Sequence, residues 1–236
     1  MGLVFQLLCA LLPAVALTGC SEKERFSAPA AIEWHTVVTP GGNVSVAVVR
    51  PENEGAAYHP VVFGLPWGSG TRDLAESFIQ SYWLTEPAAR DYYVVVPSIR
   101  GTLLEVDAND VLPALFDWMQ TELSVDVDQV ALVGASNGER GGFFSAVAQP
   151  DRFQALMGMP AMYQGDPTNL TVLAGKPVWL MVGEFDNEWR DATDATAAAL
   201  ESQGITAVVD VVASQGHVMS LDAAQLMDWI DEALGR

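Results

Sequence analysis

Two runs of this chain, Val61-Val62-Phe63-Gly64-Leu65 and Tyr92-Tyr93-Val94-Val95-Val96, carry almost no polar alternates. A strand with one wet face alternates polar and apolar side chains, so runs of this kind belong to strands covered on both faces. The cover must come from helices, and the sequence supplies them in alternation. A helix-like segment lies around Leu74 to Arg90, and another over Asn109 to Leu123, where Val111, Leu112, Leu115, Trp118, Met119 and Leu123 recur at helical spacing. Strand-like runs follow at Val130–Val133, Ala155–Gly158, Val178–Val182 and Ala207–Val212. Helices are expected after Ser136, around Ala192 to Gln203, and from Ala223 to Leu234. Ahead of this series, Ile32–Val38 and Val44–Arg50 flank Pro40-Gly41-Gly42-Asn43 and read as a hairpin. The expected fold class is α/β, with a mostly parallel central sheet and helices on both faces. Sites in such sheets lie at the carboxyl ends of the strands.

One junction carries chemistry. Gly134-Ala135-Ser136-Asn137-Gly138 follows the run Gln129–Val133 and precedes a helix-like segment. A serine hydroxyl is a poor nucleophile unless it is held away from the backbone and offered to a base. A sharp strand-to-helix turn does this, and glycines two residues before and after leave room for the strained serine. The stretch reads as a nucleophile elbow.

The 236 residues suffice for one domain with a sizeable core, and 50% apolar with 17% charged residues fits a compact globular protein. The first nineteen residues carry no charged side chain and end in Leu17-Thr18-Gly19-Cys20, which resembles the lipobox of bacterial lipoproteins, although the usual Lys or Arg near the start is missing. The expected organisation is a signal peptide over 1–19, a lipidated Cys20 with a tether over 20–30, and a folded domain over 31–236. Such a protein is held by lipid at the bacterial cell envelope. Cleavage would remove Cys9 and use Cys20, leaving no disulfide. The net charge of −19 opposes binding to nucleic acid phosphates or to anionic lipid surfaces.

The stretch Val125-Asp126-Val127-Asp128-Gln129-Val130-Ala131-Leu132-Val133-Gly134-Ala135-Ser136-Asn137-Gly138, with Pro150-Asp151-Arg152-Phe153-Gln154-Ala155 after the helix, resembles the α/β-hydrolase family. The likeness runs from the hairpin to the last helix and is greatest to small, lidless carboxylesterases of the dienelactone-hydrolase and polyhydroxyalkanoate-depolymerase type. It implies a serine hydrolase acting on carboxylic esters, with Ser136 as nucleophile, Asp186 in Gly183-Glu184-Phe185-Asp186 as acid and His217 in Gln215-Gly216-His217 as base. The order Ser, Asp, His is that of the family.

The residue types fit the chemistry independently. A neutral imidazole takes the serine proton and returns it to the leaving group, and a carboxylate behind it fixes the tautomer. Of the three histidines, His35 lies in the first strand-like segment and His59 precedes Pro60, which leaves His217 for a late loop. Glu184, Glu188, Asp191 and Asp194 are alternatives to Asp186. Glu184 would point to the same face, and Asp191 and Asp194 suit the first turn of a helix. An oxyanion hole needs two backbone amides. One falls to Asn137, the other to Ser69 or Gly68 in Leu65-Pro66-Trp67-Gly68-Ser69-Gly70; Pro66 has no N–H. Trp67 stands where the family has histidine, as a site-lining or a packing aromatic. Glu139 stands where relatives commonly have glycine, and would either perturb the helix start or face solvent.

Only a short segment separates Gly158 from Lys176, so no cap domain is expected there and the site should be open. Met162, Tyr163 and Trp189 would edge it, or serve as ordinary packing. Scattered histidines offer no metal cluster, and no cofactor is implied. Two rival readings share the scaffold: a serine peptidase of the prolyl-oligopeptidase type, and a non-catalytic lipoprotein that captures ligand in the same cleft.

Overall fold

The computed structural model describes residues 30–55, 58–99 and 103–236. The lipobox-like segment, Cys20 and the tether up to Pro29 lie outside the described residues.

β1 (Ile32–Thr39) and β2 (Gly42–Val49) form the hairpin, with Gly42 at φ 112° closing its turn. This left-handed conformation suits a residue without Cβ. β3 (His59–Leu65), β4 (Tyr93–Pro97), β5 (Val125–Gly134), β6 (Ala155–Gly158), β7 (Val178–Gly183) and β8 (Val208–Val212) complete one eight-stranded sheet. Its order is β1-β2-β4-β3-β5-β6-β7-β8. β2 pairs antiparallel with β1 and β4, and every later pairing is parallel.

Both faces of the sheet are covered, which explains the unbroken apolar runs. Val61, Phe63 and Leu65 of β3 and Val130 and Leu132 of β5 join one core. That core includes Leu112, Leu115 and Phe116 of α3 (Leu103–Glu122) and Phe143 of α4 (Asn137–Ala148). The alternate residues Val62, Ala131 and Val133 point the other way. They meet Phe78 of α1 (Arg72–Phe78) and Leu226, Met227 and Ile230 of α6 (Ala223–Ala233). Period-two alternation thus sends apolar side chains into two cores. β8 forms the far edge, and Val208, Val209 and Val211 are exposed there.

Two helices differ from the sequence expectation. The segment Leu74–Arg90 is not one helix: α1 runs into a π-helical turn at Ile79–Trp83, and α2 (Glu86–Ala89) follows separately. Pro87 lacks the N–H that a continuing helix would bond, and it sits where a new helix tolerates it, near the start. α3 begins six residues before Asn109, because Leu104 and Ala108 extend the same buried stripe as Val111, Leu112 and Leu115. α5 (Asn187–Ser202) also starts earlier than expected, directly after Asp186, so Asp191 and Asp194 lie beyond its first turn, where Glu188 stands instead. Residues 159–177 contain one short 3-10 helix, Pro167–Leu173, and no cap.

Candidate active site

At the carboxyl edge of the sheet Leu65 stands opposite Gly134, Gly134 opposite Gly158 and Gly158 opposite Leu180, while β7 runs on to Gly183, opposite Val212 of β8. Beyond this edge stands Ser136, at φ 56° and ψ −121°. Such a backbone is costly for a residue with a Cβ, and it persists only where surrounding contacts impose it. Those contacts are visible. Ala135 N–H donates to Leu65 O at 3.1 Å, Ser136 N–H to Pro160 O at 3.1 Å, and Met159 N–H to Gly134 O at 2.8 Å.

The flanking glycines are required by approach rather than by torsion. A Cβ on Gly138 would lie 2.6 Å from the Leu65 carbonyl carbon, and one on Gly134 would lie 2.7 Å from Glu139 Cα. Both obstacles are backbone, which cannot swing aside. Gly138→Ala is therefore expected to lower stability by about 1–3 kcal/mol, read from the urea midpoint, because α4 must move off β3 to admit the methyl group.

Three residues singled out from the sequence meet here. Ser136 Oγ–H donates to His217 Nε2 at 2.9 Å, and His217 Nδ1–H donates to Asp186 Oδ2 at 2.6 Å. This assignment makes the imidazole neutral, with its proton on Nδ1. The Asp186 side chain is 11% exposed against 40% for His217. The two loops that carry them are laced together. Glu184 N–H donates to Val212 O and Phe185 N–H to Gln215 O, each at 2.9 Å, while the Glu184 carboxylate accepts from Ser214 N–H at 2.7 Å. Glu184 thus serves as a strut between the loops and is not the residue behind the imidazole. Gly183 is pressed against Gln215 and Gly216, where a Cβ would meet Gln215 O at 2.6 Å.

The other candidates fall on two sides. Trp189 lies over the imidazole, with ring centroids 5.1 Å apart. Trp67 packs edge-on against Phe78 at 5.6 Å and Tyr82 at 6.2 Å, which accounts for it as a packing aromatic. Tyr163 rests on Phe143 and Phe144 of α4 and donates its hydroxyl to Asp166 O, also a packing position, and Met162 beside it is half-buried. Exposed Phe185 and Val218, next in sequence to Asp186 and His217, escaped the sequence reading; they add apolar surface to both loops. His59 is buried at the start of β3 with Nδ1 against Asp91 O at 2.8 Å, and His35 lies on β1, so neither belongs to the site.

Asn137 opens α4, and Gly68 and Ser69 lie in the loop after β3, with Gly68 at φ 66° and Gly70 at φ 62°. The Asn137 side chain reaches this loop, Nδ2–H donating to Gly68 O at 3.2 Å.

Glu139 contradicts both sequence expectations. It is fully buried beneath the elbow, in space left by Gly134, Gly142 and Gly158, and neither carboxyl oxygen has a hydrogen-bond partner among the described residues. Burial without a compensating charge or donor pushes its pKa well above the ordinary 4.5. Gly142, one turn further along α4, is the local signal for it, and Gly134 and Gly158 complete the room that the carboxyl fills.

No protein-family model and no curated protein matches the sequence. Solved structures do match the fold. A thermostable esterase superposes with a TM-score of 0.62 at 17% identity over 85% of this chain. A Bacteroides ovatus chain named for dipeptidyl aminopeptidase IV gives 0.66 at 14% over 88%. A ferulic acid esterase of the anaerobic fungus Anaeromyces mucronatus gives 0.69 at 14% over 90%. The chain spans 62% of the thermostable esterase, 36% of the Bacteroides protein and 94% of the ferulic acid esterase. Sheet order, elbow and these superpositions together define the α/β-hydrolase fold.

Proposed function

We propose that this protein is a serine hydrolase that cleaves carboxylic esters through an acyl-enzyme on Ser136. The observation that carries the reading is the continuous chain from Ser136 Oγ through His217 to Asp186, at 2.9 and 2.6 Å, with the serine in the strained conformation of an elbow.

In the first half-reaction Ser136 Oγ attacks the ester carbonyl as its proton passes to His217 Nε2. Asp186 keeps the Nδ1 proton in place and stabilises the imidazolium. The carbonyl oxygen gains negative charge and is met by the Asn137 amide and by that of Ser69 or Gly68. Collapse expels the alcohol, which takes the proton from Nε2. Water then repeats the sequence on the acyl-enzyme, with His217 as base, and releases the acid and free Ser136.

The short segment over residues 159–177 leaves the approach open, which favours acyl groups presented on bulky or polymeric alcohols. A mostly polar depression of about 320 Å³, lined by Ser81, Tyr82, Gln215, Val218 and Ser220 among others, flanks the His217 loop. Trp189 adds an aromatic wall. Esterases among the structural neighbours support the ester reading, and the lipobox-like Leu17-Thr18-Gly19-Cys20 supports anchorage at the cell envelope through Cys20.

The test is the intact mass of the purified protein after treatment with a fluorophosphonate, beside Ser136→Ala. A single adduct in the parent and none in the variant, together with ester turnover, is the expected result. An unlabelled folded parent would overturn the reading in favour of ligand capture, and turnover confined to amides would replace esterase by peptidase.

A further inference from the structure

We propose that Asn137, Arg140 and Glu105 form a relay of side chains that fixes the loop after β3 in the orientation needed to receive the oxyanion. The proposal rests on the acyl-transfer reading above and assigns the three side chains positioning roles.

The loop needs such a hold. Gly68 and Gly70 both adopt positive φ, 66° and 62°. Turning over the peptide between Gly68 and Ser69 changes ψ of Gly68 and φ of Ser69, and the missing Cβ of Gly68 removes one of the two steric restraints on that motion. That peptide is planar, and its carbonyl and its N–H move as one rigid unit. Anchoring Gly68 O therefore also fixes the direction of the Ser69 N–H, one of the two loop amides assigned to the oxyanion. The anchor is Asn137 Nδ2, which donates to Gly68 O at 3.2 Å from the first residue of α4.

A carboxamide can be turned end for end, and the relay decides its sense. Arg140 Nη1 faces Asn137 Oδ1 at 3.4 Å. A guanidinium only donates, so the oxygen must point towards Arg140 and the NH2 towards Gly68. Arg140 is held in turn by Glu105 on α3, with Nη2 at 3.1 Å from Oε1 and 3.4 Å from Oε2. The pair is largely sheltered, at 23% and 17% side-chain exposure, so solvent screens it less than an ordinary surface pair. Asn137 thus contributes twice: its backbone N–H to the developing charge, and its side chain to the placement of the second donor.

The experiment compares the full-length parent with Asn137→Ala and Arg140→Met on an activated aryl ester. An oxyanion donor out of place weakens binding of the transition state and not of the substrate. Asn137→Ala is expected to lower kcat about 10- to 100-fold, below the full loss of a donor, with KM unchanged. Affinity for a phenylboronate, whose tetrahedral adduct on serine mimics the charged intermediate, is expected to fall by the same factor. Arg140→Met is expected to act in the same direction with a smaller effect, and it carries the test if Asn137→Ala does not fold. Unchanged kcat and boronate affinity in an active background would overturn the relay alone, as would a change confined to KM. A parent protein with neither fluorophosphonate labelling nor ester turnover would overturn the underlying serine-hydrolase reading instead.

Discussion

Ser136→Ala is expected to reduce kcat on an activated aryl ester about 10⁶-fold, His217→Ala by a similar factor, and the double variant no further than either alone. The reason is the single chain of hydrogen bonds, Ser136 Oγ to His217 Nε2 at 2.9 Å and His217 Nδ1 to Asp186 Oδ2 at 2.6 Å. Without the base the hydroxyl keeps its proton, and without the hydroxyl the base has nothing to activate, so either loss removes the same step. Asp186→Asn is expected to cost about 10⁴-fold. An amide in that place donates its N–H to Nδ1, moves the imidazole proton to Nε2 and leaves no acceptor for Ser136. Steady-state rates measured above the uncatalysed background, with far-ultraviolet circular dichroism to establish folding, check all four proteins. Losses that multiply in the double variant would show Ser136 and His217 acting in separate steps.

Much of this arrangement was legible in the sequence, for physical reasons that differ between elements. The strand runs were readable because both faces of β3, β4 and the Val130–Val133 part of β5 are covered, so almost every position there must be apolar. The elbow was readable because backbone approaches forbid a side chain at Gly134 and Gly138, which leaves a local pattern independent of the rest of the fold. His217 could be singled out because histidine is so scarce in this chain.

What escaped was decided by contacts between distant segments. Glu184 and Asp186 stand two residues apart in one loop, and only the position of Ser214 makes the first a strut, while that of His217 engages the second. Tyr163 was as plausible at the rim as in the core, and α4, through Phe143 and Phe144, claims it for packing. The break between α1 and α2 was signalled by Pro87 but was masked by apolar residues that continue across it at helical spacing. Arg140 gave no local signal at all, since its partner Glu105 comes from another helix. Glu139 is the sharpest miss. A carboxylate in the first turn of a helix is ordinarily a solvated group, and its burial follows from three glycines, of which Gly158 belongs to another strand.

Burial of Glu139 carries the second large effect, a stability that depends on pH in a direction opposite to that of most carboxylates. In the unfolded chain the group titrates near 4.5, and in the native protein desolvation raises it well above that value. The folded state therefore holds this proton more tightly. The contribution is fully present below the unfolded pKa, declines as pH rises towards the folded pKa, and is gone above it. Within that window one proton changes the unfolding free energy by about 1.4 kcal/mol per pH unit. Gly134 on β5, Gly142 on α4 and Gly158 on β6 close around the side chain, and among the described residues desolvation acts on it with no charge to offset the loss. Glu139→Gln keeps the shape of the side chain and removes the titration. Its unfolding free energy, measured in urea from pH 5 to 9, is expected to gain on the parent by about 1.4 kcal/mol for each pH unit of the window. Asp166, whose backbone and side-chain bonds from Thr168 lower its pKa, is common to both proteins and cancels in the difference. Parallel curves for parent and variant would mean that the carboxyl finds a donor or solvent when it ionises, and the dry cradle beneath the elbow would have to be redrawn.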